Sequence, residues 1–148
     1  MDGKNKKIVI GCDHAGFHLK EYLKDSLTTQ GYDVQDFGTN SEASVDYPDY
    51  VHPLATFIEN NLDMKGILIC GSGIGVSISA NRHKGVRAAL CWNSEVAAMS
   101  RRHNNANIIC LPARYLTPDH AEKMVEVFLS TPFDGGRHEI RVNKIEIE

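Results

Sequence analysis

The sequence has no closely spaced cysteine pair, no basic run, no long apolar run and no repeated or low-complexity segment. Each absence closes off a class of protein. The four cysteines, Cys12, Cys70, Cys91 and Cys110, are far apart, and each lies within or at the end of an apolar run. Reduced thiols are therefore expected in place of a disulfide framework, and a structural zinc site finds no ligand pairs. A formal net charge of -3 without a basic stretch argues against nucleic acid as a partner, although a few arginines can still hold a small phosphate. No apolar stretch approaches the roughly 20 residues of a membrane helix. The polar start MDGKNKK lacks the apolar region of a secretion signal, so the expected location is cytoplasmic.

What is present is an ordinary globular balance, 42% hydrophobic and 24% charged over 148 residues, enough for a core within one domain spanning 1–148. Apolar strand-like runs recur as KIVIGC (7–12), DVQDFG (33–38), GILICG (66–71), VRAALCW (86–92) and NIICLPA (107–113). Between them, apolar residues fall three and four apart. Leu19, Leu23 and Leu27 line one helical face, with Lys20, Lys24 and Asp25 off it and Gly31 as the stop. Val51, Leu54, Ala55, Ile58 and Leu62 form a second stripe after the turn signal DYPD. Ala121, Met124, Val125, Phe128 and Leu129 form another, opened by Thr117 and Pro118 as cap and first turn.

Short Val/Ile/Leu strands alternating with amphipathic helices predict right-handed crossovers and a parallel sheet covered on both faces. The expected architecture is a three-layer α/β sandwich with a five-stranded parallel, Rossmann-like sheet. Beyond Pro132 and the Gly135-Gly136 pair, the tail resumes as a short helix over about 134–146 that leaves the body of its own domain. In such sheets ligands sit outside the carboxyl ends of the strands. That rule selects Asp13 and His14, the segment Cys70 to Gly75, Trp92 to Ser94, and Arg114.

The segment CGSGIG places a thiol at the mouth of a loop rich in glycine, with Gly71, Gly73 and Gly75 at alternate positions. A dinucleotide fingerprint would need its third glycine where Val76 stands, and a Walker loop would need a lysine. What remains is a cradle of backbone N–H groups for a carboxylate, a phosphate or a transient oxyanion. A thiol beside such a cradle can take a proton from carbon, whereas elsewhere it would simply pack. Asp13 could as well be a helix cap, and His103 a cation at a helix end. Arg137 and Arg141 share a helical face and make a fork for a phosphate, or else a solvated charged surface.

The blocks GCDHAGFHLK, DYPDY, GILICGSGIGVSISANR, RRHNNAN and GGRHEIRV together resemble the type B ribose-5-phosphate isomerases, within a wider family that includes galactose-6-phosphate and allose-6-phosphate isomerases. The resemblance runs from about residue 7 to about residue 143, with every block in order. It implies interconversion of ribose 5-phosphate and ribulose 5-phosphate through an enediolate, without metal or other cofactor. Cys70 then matches the base, with Ser72 beside it and the loop Gly71, Ser72, Gly73, Ile74 and Gly75 around the enediolate. His103 matches the residue that opens the furanose ring, assisted by Asp13. His14, Arg137 and Arg141 resemble the phosphate-binding set, Asn104 and Arg114 further substrate contacts, and Tyr47 a wall of the pocket. Family sites are shared between two chains, so the resemblance implies that His103 and its neighbours serve Cys70 of a second copy and that the tail arginines are interface as well as site. A homodimer, or a dimer of dimers, is therefore expected, with the tail helix on the partner subunit.

Some members of that family use a carboxylate as base, but Val76, Ser77 and Ile78 offer none here. Ser72 stands where many members have threonine, and the hydroxyl is retained. Two other readings compete: isomerisation of a six-carbon sugar phosphate, which pocket depth would decide, and a non-catalytic sugar-phosphate sensor, which would need neither Cys70 nor His103.

Overall fold

The computed structural model of the protein describes residues 6–147, so the ends of the expected 1–148 unit, residues 1–5 and 148, lie outside the described residues. Five strands, β1 (Lys7–Cys12), β2 (Asp33–Asp36), β3 (Lys65–Cys70), β4 (Ala88–Leu90) and β5 (Ile108–Pro112), form one sheet in the order β2-β1-β3-β5-β4. Every neighbouring pair is parallel. Six α-helices connect or follow them: α1 (Phe17–Thr29), α2 (Pro48–Glu59), α3 (Ile74–Ala80), α4 (Ser94–Arg102), α5 (Pro118–Ser130) and α6 (Arg137–Val142).

Alternation along the central strands sends successive side chains into two cores. Ile8, Ile10, Ile67, Ile69, Ile109 and Leu111 pack with α1 and α5, together with Ala97 of α4. Val9, Leu68, Cys70, Ile108 and Cys110 pack with Val51, Leu54 and Ile58 of α2 and Val76 and Ala80 of α3. Because α1, which follows β1, packs on one face and α3, which follows β3, on the other, the chain leaves β1 and β3 in opposite directions. The two strands are neighbours, so a crevice opens between the turns that follow them.

Several expectations are revised. β4 is three residues long instead of seven, because it is an edge strand and Asn81 clamps Ala88 with both its side-chain oxygen and nitrogen at 2.8 and 2.9 Å. β2 stops at Asp36, whose carboxylate takes the Gly38 N–H at 2.8 Å. α2 ends at Glu59, and the amides of Asn60 and Asn61 turn back onto the carbonyls of Thr56 and Phe57. Leu62 therefore falls beyond the helix and is 55% exposed. The tail helix covers only Arg137–Val142, since Gly135 and Gly136 both carry positive φ (70° and 57°) and delay its start.

Lys20 is the sharpest departure. Helical spacing puts it off the apolar face of α1, yet its side chain is fully buried. The ammonium lies 2.6 Å from Asp36 and 2.9 Å from Glu21, and Lys24 reaches the same two carboxylates at 3.0 and 3.3 Å. Burial opposes ionisation of Asp36, but the bonds from Lys20, the Gly38 N–H and Lys24 outweigh it and hold the carboxyl below its ordinary range. Lys20 lowers Glu21 in the same way. Both folded-state values lie below the unfolded ones, so this stabilisation is present above about pH 4 and fades as pH falls through the folded values.

Two outcomes are expected in urea titrations. Stability declines on acidification below about pH 4, and less steeply in Asp36→Asn. Lys20→Met, which strands Asp36 and Glu21 with Lys24 alone, loses about 3 kcal/mol. A loss under about 0.5 kcal/mol, the range of ordinary surface changes, would show that the network contributes nothing.

Candidate active site

Cys70 ends β3 and is 5% exposed. Its Sγ accepts the Gly73 N–H at 3.2 Å, which pulls the loop into a tight turn over the sulfur. Gly73 adopts φ 75°, and a Cβ there would meet Leu90 at 2.5 Å and the backbone of Leu111 and Pro112 at 3.2 Å, so only glycine fits. Gly71 and Gly75 are needed for close approach. A Cβ on the first would lie 2.7 Å from the Arg114 guanidinium, and on the second 2.5 Å from the Tyr47 ring. Arg114 is anchored in turn by its own N–H on the Gly71 carbonyl at 3.0 Å. Ser72 Oγ takes the Ile74 N–H at 3.2 Å. Among the described residues, the N–H groups of Ser72 and Gly75 have no acceptor in the protein.

The turn after β1 faces this loop. Asp13 is buried and its carboxylate accepts the N–H groups of Ala15 and Gly16 at 3.0 and 3.2 Å, which closes the short 3-10 turn His14–Gly16. His14 Nδ1 accepts the Val45 N–H at 3.1 Å. Its ring proton is thereby placed on Nε2, a donor that an anion can use. A cavity of 460 Å³ lies between the two turns, lined by Asp13, His14, Ala15, Tyr47, Cys70, Gly71, Ser72, Ile74, Gly75, Ile78 and Arg114. Ala15 and Ile78 escape a reading of the sequence. Ile78 is one helical turn beyond Ile74, the only signal that could have pointed to it.

His103, Asn104, Arg137 and Arg141 do not reach this cavity, and neither Gly73 nor the segment Trp92 to Ser94 lines it. His103 caps the C-terminal end of α4, and Asn104 follows it. The chain then enters β5, whose first residue pairs with Gly66 near the start of β3. His103 and Asn104 thus sit at the amino edge of the sheet, and Cys70 at the carboxyl edge. Arg137 and Arg141, both exposed on α6, go with His103, for the His103 ring stacks on His138 with centroids 4.2 Å apart and planes 9° apart. Arg102 and Asp134, 3.3 Å apart, tie the tail to α4.

His138 is the group that reading the sequence missed, although it stands inside the GGRHEIRV block. Partial desolvation in the stack, and then the neighbouring His103 and Arg137, hold its imidazole below the usual range. Among the described residues, His103, Asp134 and His138 are the one trio of potential metal ligands whose donor atoms lie within 4.8 Å of one another. A larger cavity, 690 Å³, also opens at the amino edge between Arg82, Arg87, Asn104 and the tail residues Ile145–Ile147. It holds no thiol and no glycine loop, so size alone misplaces the chemistry.

The other three cysteines are buried and free, as expected. Burial pushes the Cys12 thiol up to about 12, the Cys91 thiol up to about 11 and the Cys110 thiol well above its ordinary value. Only Cys70 combines a cavity wall with a hydrogen-bonded sulfur.

A thiol and an amide cradle at the crevice of a parallel α/β sheet form a site whose donors suit a small anion. The chain belongs to the ribose/galactose isomerase family, whose model matches residues 8–145. A ribose 5-phosphate isomerase from Thermotoga maritima is 53% identical and superposes with a TM-score of 0.92, covering 94% of this chain and 96% of that one. Ribose-5-phosphate isomerase B from Mycoplasma genitalium, solved with bound ribulose-5-phosphate, is 43% identical with a TM-score of 0.91, covering 94% and 93%. Ribose-5-phosphate isomerase B of Escherichia coli is 40% identical over 140 residues, 95% of this chain and 94% of that protein.

The contrast among thiols has a direct consequence. Iodoacetamide at about pH 8 should alkylate Cys70 first, with Cys12, Cys91 and Cys110 protected until unfolding. Peptide mass spectrometry reads the order, and comparable labelling of all four thiols in the native protein would contradict the assignment.

Proposed function

We propose that the protein interconverts D-ribose 5-phosphate and D-ribulose 5-phosphate, the aldose-ketose step of the pentose phosphate pathway, with Cys70 as the base. The observation that carries this reading is the Cys70 sulfur held at 3.2 Å by the Gly73 N–H, beside amides of Ser72 and Gly75 that have no acceptor of their own. A C–H next to a carbonyl is a very weak acid. Its removal needs a positioned base together with fixed dipoles at the oxygen where charge develops.

Cys70 takes the proton from C2 of the open-chain aldose. The electron pair moves into a C1–C2 double bond, and the carbonyl oxygen becomes the enediolate oxygen in the cradle. The same thiol returns the proton to C1, and the hydroxyl proton on the C2 oxygen passes to the C1 oxygen, so that the first becomes the carbonyl of the ketose and the second its hydroxyl. No redox partner and no metal enter the balance. Ring opening falls to His103, with Asp13 assisting and Asn104 and Arg114 holding the sugar hydroxyls. His14, Arg137 and Arg141 hold the phosphate, and Tyr47 closes the pocket.

This division of labour requires two chains. His103, Asn104, Arg137 and Arg141 lie at the edge away from their own Cys70, so they serve the cavity of a second copy. The chain acts as one domain whose tail helix packs on the partner subunit, in a homodimer or a dimer of dimers. Among the described residues no helix is long and apolar enough to cross a membrane, and a cytoplasmic enzyme fits a phosphorylated sugar. Because the family description names both ribose and galactose, a six-carbon sugar phosphate is the second reading.

The test is turnover of ribose 5-phosphate in the presence of chelator, alongside allose 6-phosphate and galactose 6-phosphate. Wild type is expected to favour the five-carbon substrate. Cys70→Ala should fold, bind sugar phosphate and lose about 10²-fold or more in kcat. Activity near wild type would remove Cys70 as the base, and preference for a six-carbon phosphate would select the second reading. Arg141→Ala should act chiefly on KM, raising it about tenfold or more. An unchanged KM would place the phosphate elsewhere.

A further inference from the structure

At the amino edge of the sheet three cations gather without an acid to pair them. Lys65 opens β3, Arg87 precedes β4 and Arg101 lies in the last turn of α4; with Asp63, Asn105 and Asn107 they line a cavity of 230 Å³. Arg101 is only 8% exposed. Its Nε donates to the Thr131 carbonyl at 3.0 Å, and its Nη1 to the Ala106 carbonyl at 2.7 Å and to Asn105 Oδ1 at 2.9 Å. Arg87 donates from Nε to the Asn105 carbonyl at 2.8 Å and from Nη1 to the Gly85 carbonyl at 3.4 Å.

These bonds fix both guanidinium planes and leave each Nη2 without a partner among the described residues. Among the described residues no buried side-chain nitrogen or oxygen lacks a partner, so both Nη2 groups open onto accessible space. None of the three cations makes an ion pair within 4 Å among the described residues. Asp63, the one carboxylate in the lining, is exposed, and Glu146 beside Arg87 directs its carboxylate to the Gly85 N–H at 2.6 Å. Burial and Arg101 hold Lys65 below the ordinary lysine range, and burial and Arg87 do the same to Arg101. Like charges held together in a half-buried cavity destabilise one another, and an anion between them reverses the sign of the interaction.

We propose that this cavity is a second anion site, taking a tetrahedral oxyanion, inorganic phosphate or the phosphate of a monoester, in the fork of Arg87 and Arg101 with Lys65 as the third contact. Planar guanidinium donors suit phosphate oxygens, and Asn107 supplies a neutral polar wall. The site shares no residue with the Cys70 cavity or with His14, Arg137 and Arg141. It also abuts the turn that carries His103 and Asn104, because Arg101 braces Asn105 and Ala106. Filling it should therefore stiffen that turn.

The experiment is calorimetric titration of inorganic phosphate, at constant ionic strength, into wild type, Arg141→Ala and Lys65→Gln. Lys65 makes no side-chain hydrogen bond and its replacement leaves the two arginine braces intact. Wild type should show two phosphate sites per chain, one weakened in Arg141→Ala and the other weakened about tenfold or more in Lys65→Gln. In phosphate-free, low-salt buffer Lys65→Gln should melt higher than wild type. Hydrogen exchange at residues 104–107 should slow with phosphate in Arg141→Ala but not in the double variant with Lys65→Gln. A parallel titration with glycerol 3-phosphate identifies the source, whichever binds tighter. Unchanged phosphate binding in Lys65→Gln overturns the site. So does a lower melting temperature for that variant without phosphate, since the lysine would then be a structural asset.

Discussion

The parallel polarity of the sheet governs what one copy of this chain can do. All five strands point the same way, so their carboxyl ends share one edge, and the helices that return between them end at the other. Asp13 follows β1, Cys70 ends the neighbouring β3, and the two face each other across a crevice. His103 ends a returning helix and is carried to the far edge. No rotamer change bridges that separation. Under the proposed mechanism, a reaction that uses both the thiol and the histidine draws them from two chains, and the exposed arginines of α6 belong to the same proposal.

Within the crevice, the geometry depends on backbone more than on side chains. Gly73 gives the loop a left-handed residue that hard-sphere contacts with Leu90, Leu111 and Pro112 deny to any side chain. Gly71 and Gly75 let Arg114 and Tyr47 close in. The strand beneath is rigid because Ile67 to Ile69 are packed on both faces of the sheet. A dipole that must stabilise a transient oxyanion is useful in proportion to how little it has to reorganise. Burial also sorts the thiols: it raises those of Cys12, Cys91 and Cys110 and keeps them out of reach, while Cys70 lines the cavity.

Much of this was legible in the sequence, because strand and helix alternation is a local pattern and the edge rule follows from it. Each of the five strand runs contains a strand, although β2 and β4 are shorter than expected, and the stripes of α1 and α5 and the turns after β1, β3 and β5 fall where the periodicity places them. The shortfalls have specific causes. Lys20 reads as solvated because helical spacing cannot show that Asp36 and Glu21 wait beside it in the fold. Leu62 continues the α2 stripe, but the amides of Asn60 and Asn61 end the helix first. His138 is silent until α6 packs against the end of α4. The order of the five blocks also says nothing of which sheet edge each one reaches. The resemblance alone implies that His103 serves the Cys70 of a second copy, and the register of β3 and β5 places the two residues of one chain at opposite edges.

The measurement that tests the shared site most directly is complementation between two inactive variants. Cys70→Ala and His103→Ala homo-oligomers should each be nearly inert. After mild dissociation and reassociation, random mixing should restore about a quarter of wild-type activity, since half of the dimers then hold one site with both residues intact. A mixture that stays as inactive as its components, with subunit exchange verified by native mass spectrometry, would show that each chain completes its own site.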